Sequence, residues 1–172
     1  MKLWATITAA AAVLVAGSAH AQLAPNSSAP IDVTADEAEV VNSQCLAIWR
    51  GAAEALQDRT RMRADSIKVY SSKKGSNCGS TERLEAEGNV YYVTPDRAAR
   101  ADNAVYTASS DTITLTGNVI IVQDKNVAHG DKLVLNVKTG EADMSSNATG
   151  RNNPNRVRGV FFPSGGAPAG GQ

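Results

Sequence analysis

Residues 115–140 read LTGNVIIVQDKNVAHGDKLVLNVKTG, and apolar side chains occupy almost every second position of this stretch. A Gly-Asn-Val begins at Gly117, and a Gly-Asp-Lys-Leu begins at Gly130 after a polar break. Alternation with a period of two is typical of a half-buried antiparallel strand. The stretch therefore predicts two strands joined by a turn.

The same pattern recurs earlier in the chain. A glycine precedes an aspartate by 14 positions three times, at Gly51 and Asp65, Gly88 and Asp102, and Gly117 and Asp131. Gly88 and Gly117 lie 29 positions apart, whereas Gly51 and Gly88 lie 37 positions apart. The polar stretch at 71–82 accounts for the longer interval, and it resembles a lengthened hairpin turn. A period of about 29 residues predicts stacked rungs of an all-β fold. We expect each aspartate to begin a strand and to accept hydrogen bonds from free backbone amides.

Counting in steps of two from each glycine and aspartate separates an inward from an outward face. The large inward side chains of the second and third copies are predicted to line an apolar groove: Leu84, Val90, Tyr92, Tyr106, Leu115, Val119, Ile121, Leu133 and Leu135. The apolar outward residues Tyr91, Val93, Ile120 and Val122 break the alternation. They are typical of strands that are covered on both faces.

A basic residue stands two positions before three of the aspartates, at Arg63, Arg100 and His129. Stacked rungs would bring these three residues into one column. In one interpretation they pair with acidic neighbours at a solvated rim. In the other they contact anionic head groups, because arginine matches phosphate geometry with paired hydrogen bonds.

The N-terminus has the three-part pattern of a cleavable secretory signal. Lys2 is followed by an uncharged run and then by Ala19-His20-Ala21, which places small residues before a predicted cleavage at Gln22. The uncharged run is short of the ~20 residues that a membrane-spanning helix requires. We therefore predict a signal peptide at 1–21, a flexible segment at 22–30, one domain at 31–163, a disordered Gly/Pro-rich tail at 164–172, and a location in the periplasm.

The charged residues balance, with 17 Lys and Arg against 17 Asp and Glu. This balance predicts no long-range attraction to nucleic acid or to an anionic membrane. The histidines and cysteines do not have the spacing of a metal site, and no pair of carboxylates suggests general acid–base catalysis. We therefore predict no enzyme activity, no metal and no cofactor.

Cys45 and Cys78 are the only two cysteines of the chain. An oxidising compartment favours a disulfide between them. The alternative is a reactive thiol, which would need a basic partner or a Cys-x-x-Cys pattern that the sequence does not contain.

Several short motifs, in their order and spacing, resemble the OstA-like family of periplasmic lipopolysaccharide-transport proteins, the family of LptA. The resemblance runs from about residue 31 to 163 and rests on the segments at 31–36, 63–65, 130–141 and 156–163 together with the Gly-Asn-Val copies. The chain departs from the family pattern in the insertion at 71–82, in its two cysteines, and in Ala52-Ala53, where Asn-Val is usual.

This resemblance implies a twisted, open β-jellyroll of stacked antiparallel strands whose apolar interior carries acyl chains of lipopolysaccharide. It also implies head-to-tail stacking with further copies, with an inner-membrane LptC-like protein and with an outer-membrane LptD-like barrel. Three alternatives stay open: a membrane-tethered LptC-like component, a purely structural β adaptor whose own side chains fill its interior, and a jellyroll enzyme. The predicted cleavage site argues against a retained membrane anchor.

Overall fold

A computed structural model describes residues 22–163. The regular structure in this range consists of ten β-strands and one short 3-10 turn at Asn42–Gln44. The strands are β1 (Asp32–Thr34), β2 (Glu37–Val41), β3 (Leu46–Gln57), β4 (Thr60–Lys74), β5 (Asn77–Val93), β6 (Arg97–Thr107), β7 (Thr112–Gln123), β8 (Asn126–Asn136), β9 (Ala142–Ser145) and β10 (Arg158–Val160).

The strands form one continuous antiparallel sheet. Their order is β1-β3-β4-β5-β6-β7-β8-β10, and β2 also pairs with β3 while β9 also pairs with β8. Within residues 22–163 the strands at the two edges do not pair with each other, so the sheet is open. The predicted all-β, open jellyroll is therefore confirmed.

A line of β-bulges crosses the sheet and bends every long strand. The pairing register shifts at the glycines of the repeat, for example between Glu87 and Val90 and between Thr116 and Val119. The backbone there turns through two consecutive residues with positive φ, which glycine adopts without steric cost. The bulges divide the sheet into a first half-sheet, which contains β2 and β9, and a second half-sheet, which contains β1 and β10.

The recurring aspartates stabilise this bend. Asp65 and Asp102 accept hydrogen bonds from the side-chain amides of Asn89 (3.0 Å) and Asn118 (2.8 Å) on the next strand. A Cβ atom at Gly117 would lie 2.3 Å from Oδ2 of Asp102, so glycine is required for this close approach. We call each such contact a glycine–aspartate bend.

Our prediction that each aspartate begins a strand is wrong for three of them. Asp65, Asp102 and Asp131 lie inside β4, β6 and β8, because the chain passes through the bend without leaving the sheet.

Asp131 accepts hydrogen bonds from the backbone N–H of Asn147 and the hydroxyl of Ser146. These two bonds hold the pKa of Asp131 below its usual range.

The insertion at 71–82 extends the hairpin of β4 and β5 as a two-stranded ribbon. The ribbon lies against the 3-10 turn that precedes β3, where Lys73 donates to the carbonyl of Ser43. Cys45 and Cys78 form a disulfide across this contact, with 5.3 Å between their Cα atoms. The predicted disulfide is therefore present in the structure.

Candidate functional site: the apolar interior and its mouth

The inner faces of the two half-sheets pack against each other and form the core. Of the nine predicted groove residues, eight are almost fully buried in this core, and Ile121 is half-buried against it. The first half-sheet contributes Leu84, Tyr106, Leu115, Leu133 and Leu135, and the second contributes Val90, Tyr92, Val119 and Ile121. All nine side chains that the period-two alternation predicted to face inward therefore lie in one apolar layer. Their contact with lipid stays a prediction.

This apolar layer is not an open channel in the structure. Ala53, Ala55, Ala86 and Ala104, the small inward residues, are fully buried. The cavity beside Tyr92 and Leu135 measures only about 30 Å³, roughly the volume of one water molecule. The interior beside the mouth is therefore filled by the protein's own side chains.

The mouth of the fold, where the two half-sheets end opposite each other, is covered by residues 22–30. We predicted this segment to be flexible, but Leu23 is fully buried in the core and Ala24 is 4% exposed. Burying a leucine side chain stabilises a structure by roughly 1.5–3 kcal/mol. Parity could not reveal this contact, because the segment belongs to no strand.

Three polar side chains of the interior hold the backbone of this segment. The Gln57 carbonyl oxygen accepts from the N–H groups of Leu23 (2.6 Å) and Ala24 (2.9 Å), and the Tyr92 hydroxyl donates to the carbonyl of Leu23 (2.8 Å). The N–H of Gln22 donates to the Tyr106 hydroxyl at 2.6 Å. The peptide group between Leu23 and Ala24 is therefore hydrogen-bonded at both its C=O and its N–H. We call Gln57, Tyr92 and Tyr106 the amide clamp.

The environment keeps the two tyrosines of the amide clamp protonated. Burial raises the pKa of both the Tyr92 and the Tyr106 hydroxyl, because a phenolate would lose its hydration. Both hydroxyls therefore remain hydrogen-bond donors in an apolar setting. We predicted Tyr92 and Tyr106 as groove residues because of their aromatic rings, but the alternation of apolar residues reveals neither the polar role of their hydroxyl groups nor the role of Gln57.

A second contact joins the half-sheets at the mouth. The Arg97 guanidinium, at the start of β6, donates to the carbonyl of Gly140 (3.1 Å) in the loop after β8. Arg97 also pairs with Asp96 at 2.9 Å. A hydrogen bond from Thr94 and the neighbouring Arg97 lower the pKa of Asp96. The mouth is thus held by Arg97 as well as by residues 22–30.

The predicted basic column forms, but on the outside of the second half-sheet. Cross-strand pairing links Arg63 to Tyr91, Tyr91 to Arg100, Arg100 to Ile120, and Ile120 to His129. Arg63 forms an ion pair with Glu54, and the Arg100 guanidinium lies 5.8 Å from the centre of the Tyr91 ring. These side chains point away from the apolar layer, and their contact with head groups stays a prediction.

Apolar side chains are also exposed on this outer face. Tyr91, Val93, Ile120 and Val122 are 37–44% exposed. We expected strands covered on both faces, but within residues 22–163 no second layer of strands or helices covers these four side chains. The outer face therefore presents apolar and basic residues side by side.

Both edges of the sheet carry exposed apolar side chains. Val40 of β2 is 65% exposed at one edge, and Phe161, just after β10, is 73% exposed at the other. Each edge strand also has one side without a neighbouring strand in the described chain. Such edges are suited to pairing with another strand.

Residues 32–141 match the family described as LptA/(LptD N-terminal domain) LPS transport protein. The chain belongs to this family. The predicted family is therefore confirmed over most of the domain, and its description is that of a transport protein.

Two further comparisons concern a relative and a solved structure. An uncharacterized protein, R00383 of Rhizobium meliloti (strain 1021), is 27% identical over 150 residues, which cover 84% of this chain and 81% of that protein. The crystal structure of LptH from Pseudomonas aeruginosa, described as the LptA homologous periplasmic component of a lipopolysaccharide transport device, superposes with a TM-score of 0.65. It is 23% identical and covers 78% of this chain and 96% of LptH. This likeness supports the fold.

Within residues 22–163 of this family member, no helix is long and apolar enough to cross a membrane. The same range contains no cluster of three or more His, Cys, Asp or Glu side chains that could hold a metal ion. The predicted signal peptide and the predicted C-terminal tail lie outside the described residues.

Proposed function

We propose that this LptA-family protein works in the periplasm, where it binds the acyl chains of lipopolysaccharide between its two half-sheets. It passes the lipid from an inner-membrane LptC-like protein toward an outer-membrane LptD-like barrel. The proposal rests on family membership and, above all, on the single apolar layer that both half-sheets share. Each buried CH₂ group of a lipid contributes about 0.8 kcal/mol, so an acyl chain supplies a large free energy for opening this layer.

A structural adaptor remains the second candidate, because the interior is filled by the protein's own side chains. Two observations favour the carrier. Part of the filling is Leu23, which comes from outside the sheet, and three polar groups meet inside the mouth where an adaptor would need only apolar packing. A membrane-tethered LptC-like role would require residues 1–21 to be retained, and N-terminal sequencing of the exported protein distinguishes that case.

A photocrosslinking amino acid at Ile121 should capture lipopolysaccharide in living cells, because Ile121 is the half-buried member of the apolar layer and can reach a bound chain without a large rearrangement. The control is Thr114, which lies on the same strand in the first half-sheet and has the opposite parity. Its side chain faces outward, and we expect no adduct. Equal yields of adduct at the two positions would contradict binding between the half-sheets.

For assembly, we propose that copies stack head to tail through the two edges, with β10 of one copy beside β1 and β2 of the next. The edges support this proposal because each offers free backbone groups beside exposed apolar side chains, Val40 at one end and Phe161 at the other. The same edges would meet the like-folded partners in the two membranes.

Deletion of residues 155–163 should abolish self-association and binding of the outer-membrane partner while the sheet stays folded. These residues are exposed, and their strand pairing involves only the outer side of β8. Analytical ultracentrifugation and pull-down measure association, and circular dichroism checks the fold. Retained association of a folded deletion variant would refute this edge model.

A further inference from the structure

We propose that the amide clamp is a binding site for the acyl-amide group of an N-acylated lipid, and that residues 22–30 occupy this site until the lipid displaces them. This inference extends the proposed function. It rests on that function only for the identity of the natural ligand. It adds which chemical group of the ligand is recognised, and by which residues.

Residues 23–25 carry the same chemical groups as an N-acylated lipid, in the same order. At the mouth, the fully buried Leu23 side chain belongs to the residue that supplies the carbonyl of the Leu23–Ala24 peptide group. On the nitrogen side of this peptide group, the chain continues to the exposed Pro25 and so reaches the surface. An N-acylated lipid has the same order of groups: an apolar chain, then C=O, then N–H, then a polar head. The Leu23–Ala24 peptide group therefore occupies the position that we assign to an acyl amide.

The polar groups of the clamp match both ends of an amide. The Tyr92 hydroxyl donates to a carbonyl oxygen, and the Gln57 side-chain oxygen accepts from an N–H. Gln57, Tyr92 and Tyr106 are each no more than 1% exposed. A plain hydrocarbon in this place would remove the hydrogen bonds that the Leu23–Ala24 peptide group makes with the Tyr92 hydroxyl and the Gln57 side-chain oxygen, which is costly in a buried site, whereas a secondary amide would replace both.

The segment is also suited to being displaced. Leu23 is the one large apolar side chain that anchors it in the core. Its other contacts are the buried Ala24 methyl group and a few hydrogen bonds, including one of 2.7 Å from the Gln57 side-chain amide to the carbonyl of Ala29. Ser27, at its outer end, is held by a hydrogen bond of 2.5 Å to the Asp58 carboxylate in the turn between β3 and β4. Substitution of Leu23 can therefore release the segment, and a covalent link in place of the Ser27–Asp58 hydrogen bond can fix it.

The test uses the full protein and two small probes that do not depend on lipopolysaccharide. N-dodecanoylglycine carries a secondary amide, and N-dodecanoyl-N-methylglycine has the same chain and carboxylate but lacks the N–H. Leu23→Asp should release the segment, because a carboxylate is not tolerated in the core. Asn26→Asp places the same charge at an exposed position of the segment and is the matched control.

By titration calorimetry, Leu23→Asp should bind N-dodecanoylglycine at least tenfold more tightly than the wild type and Asn26→Asp do. In the Leu23→Asp protein the N-methylated probe should bind about tenfold more weakly than N-dodecanoylglycine, as expected from the loss of a buried hydrogen bond. Equal affinity for the two probes would overturn the amide assignment. Unchanged affinity in Leu23→Asp would overturn displacement.

A second variant, Ser27→Cys with Asp58→Cys, fixes the segment when a short bis-maleimide joins the two thiols. The cross-linked protein should not bind N-dodecanoylglycine, whereas the same variant capped with N-ethylmaleimide should bind it at least as tightly as the wild type does, because the capped segment has lost its Ser27–Asp58 hydrogen bond and is free to leave. Equal binding by the two forms would overturn displacement. If both probes behave as expected but Ile121 captures no lipopolysaccharide, the proposed function fails and the acyl-amide site stands.

Discussion

Replacement of Cys45 by serine should lower the free energy of unfolding by roughly 3.5–4 kcal/mol, the chain-entropy contribution of a disulfide that closes a loop of this length. The disulfide joins residues 33 positions apart and fastens the ribbon of β4 and β5 to the start of β3. For a domain of this size the expected fall in melting temperature is about 10 °C. Differential scanning calorimetry of the oxidised wild type and the variant measures it.

A mutant cycle supplies the control. Cys78→Ser should match Cys45→Ser, and the double variant should be no less stable than either single one, because the bond is already lost. Thiol labelling should modify Cys78 in the Cys45→Ser protein and neither cysteine in the wild type. Two labelled thiols in the native protein, or an unchanged melting temperature, would show that the disulfide does not stabilise the fold.

Replacement of Gly117 by alanine should destabilise the protein by about 2–3 kcal/mol. The residue has a φ of +79°, which alone costs alanine about 1–2 kcal/mol. The new Cβ would also lie 2.3 Å from Oδ2 of Asp102. Asp102 must then move and lose its hydrogen bond from Asn118, a further loss of about 1 kcal/mol. Urea unfolding followed by circular dichroism measures the change.

Gly75→Ala separates the two causes. Gly75 also has a positive φ, +63°, but no atom lies within 4 Å of its added Cβ. This variant should therefore show only the backbone cost, about 1–2 kcal/mol. If Gly117→Ala is no worse than Gly75→Ala, the glycine–aspartate bend contributes nothing beyond turn geometry.

Period-two alternation was enough to predict the sheet and its inner face. It succeeded because a strand that is buried on one side must place apolar residues at every second position, and Leu84, Leu115 and Leu133 satisfy this requirement. The repeat of glycine and aspartate also predicted stacked rungs. It did not reveal that Asp102 meets Gly117 of the next strand, because spacing along one strand does not specify which residues become neighbours across the sheet.

The mouth was not predictable in the same way. Residues 22–30 have no periodicity, and a single leucine among Ala, Pro and Ser residues gives no signal of burial. Gln57 at the end of β3 resembles an ordinary turn residue, and its role depends on a backbone contact with Leu23 that only the folded chain creates. Periodicity in a sequence shows which side of one strand is buried. It does not show that three residues from three different strands come together, as they do in the amide clamp.

The ladder of hydrogen bonds runs through all eight strands from β1 to β10, and in an antiparallel sheet these bonds lie perpendicular to the strands. In a head-to-tail stack, a pulling force between the two membranes would therefore act along the hydrogen bonds and could peel strands apart one at a time. The Cys45–Cys78 bond ties β5 to the start of β3, past the intervening β4, in the direction of that force. Such a tether would resist the separation of β3, β4 and β5 in each copy.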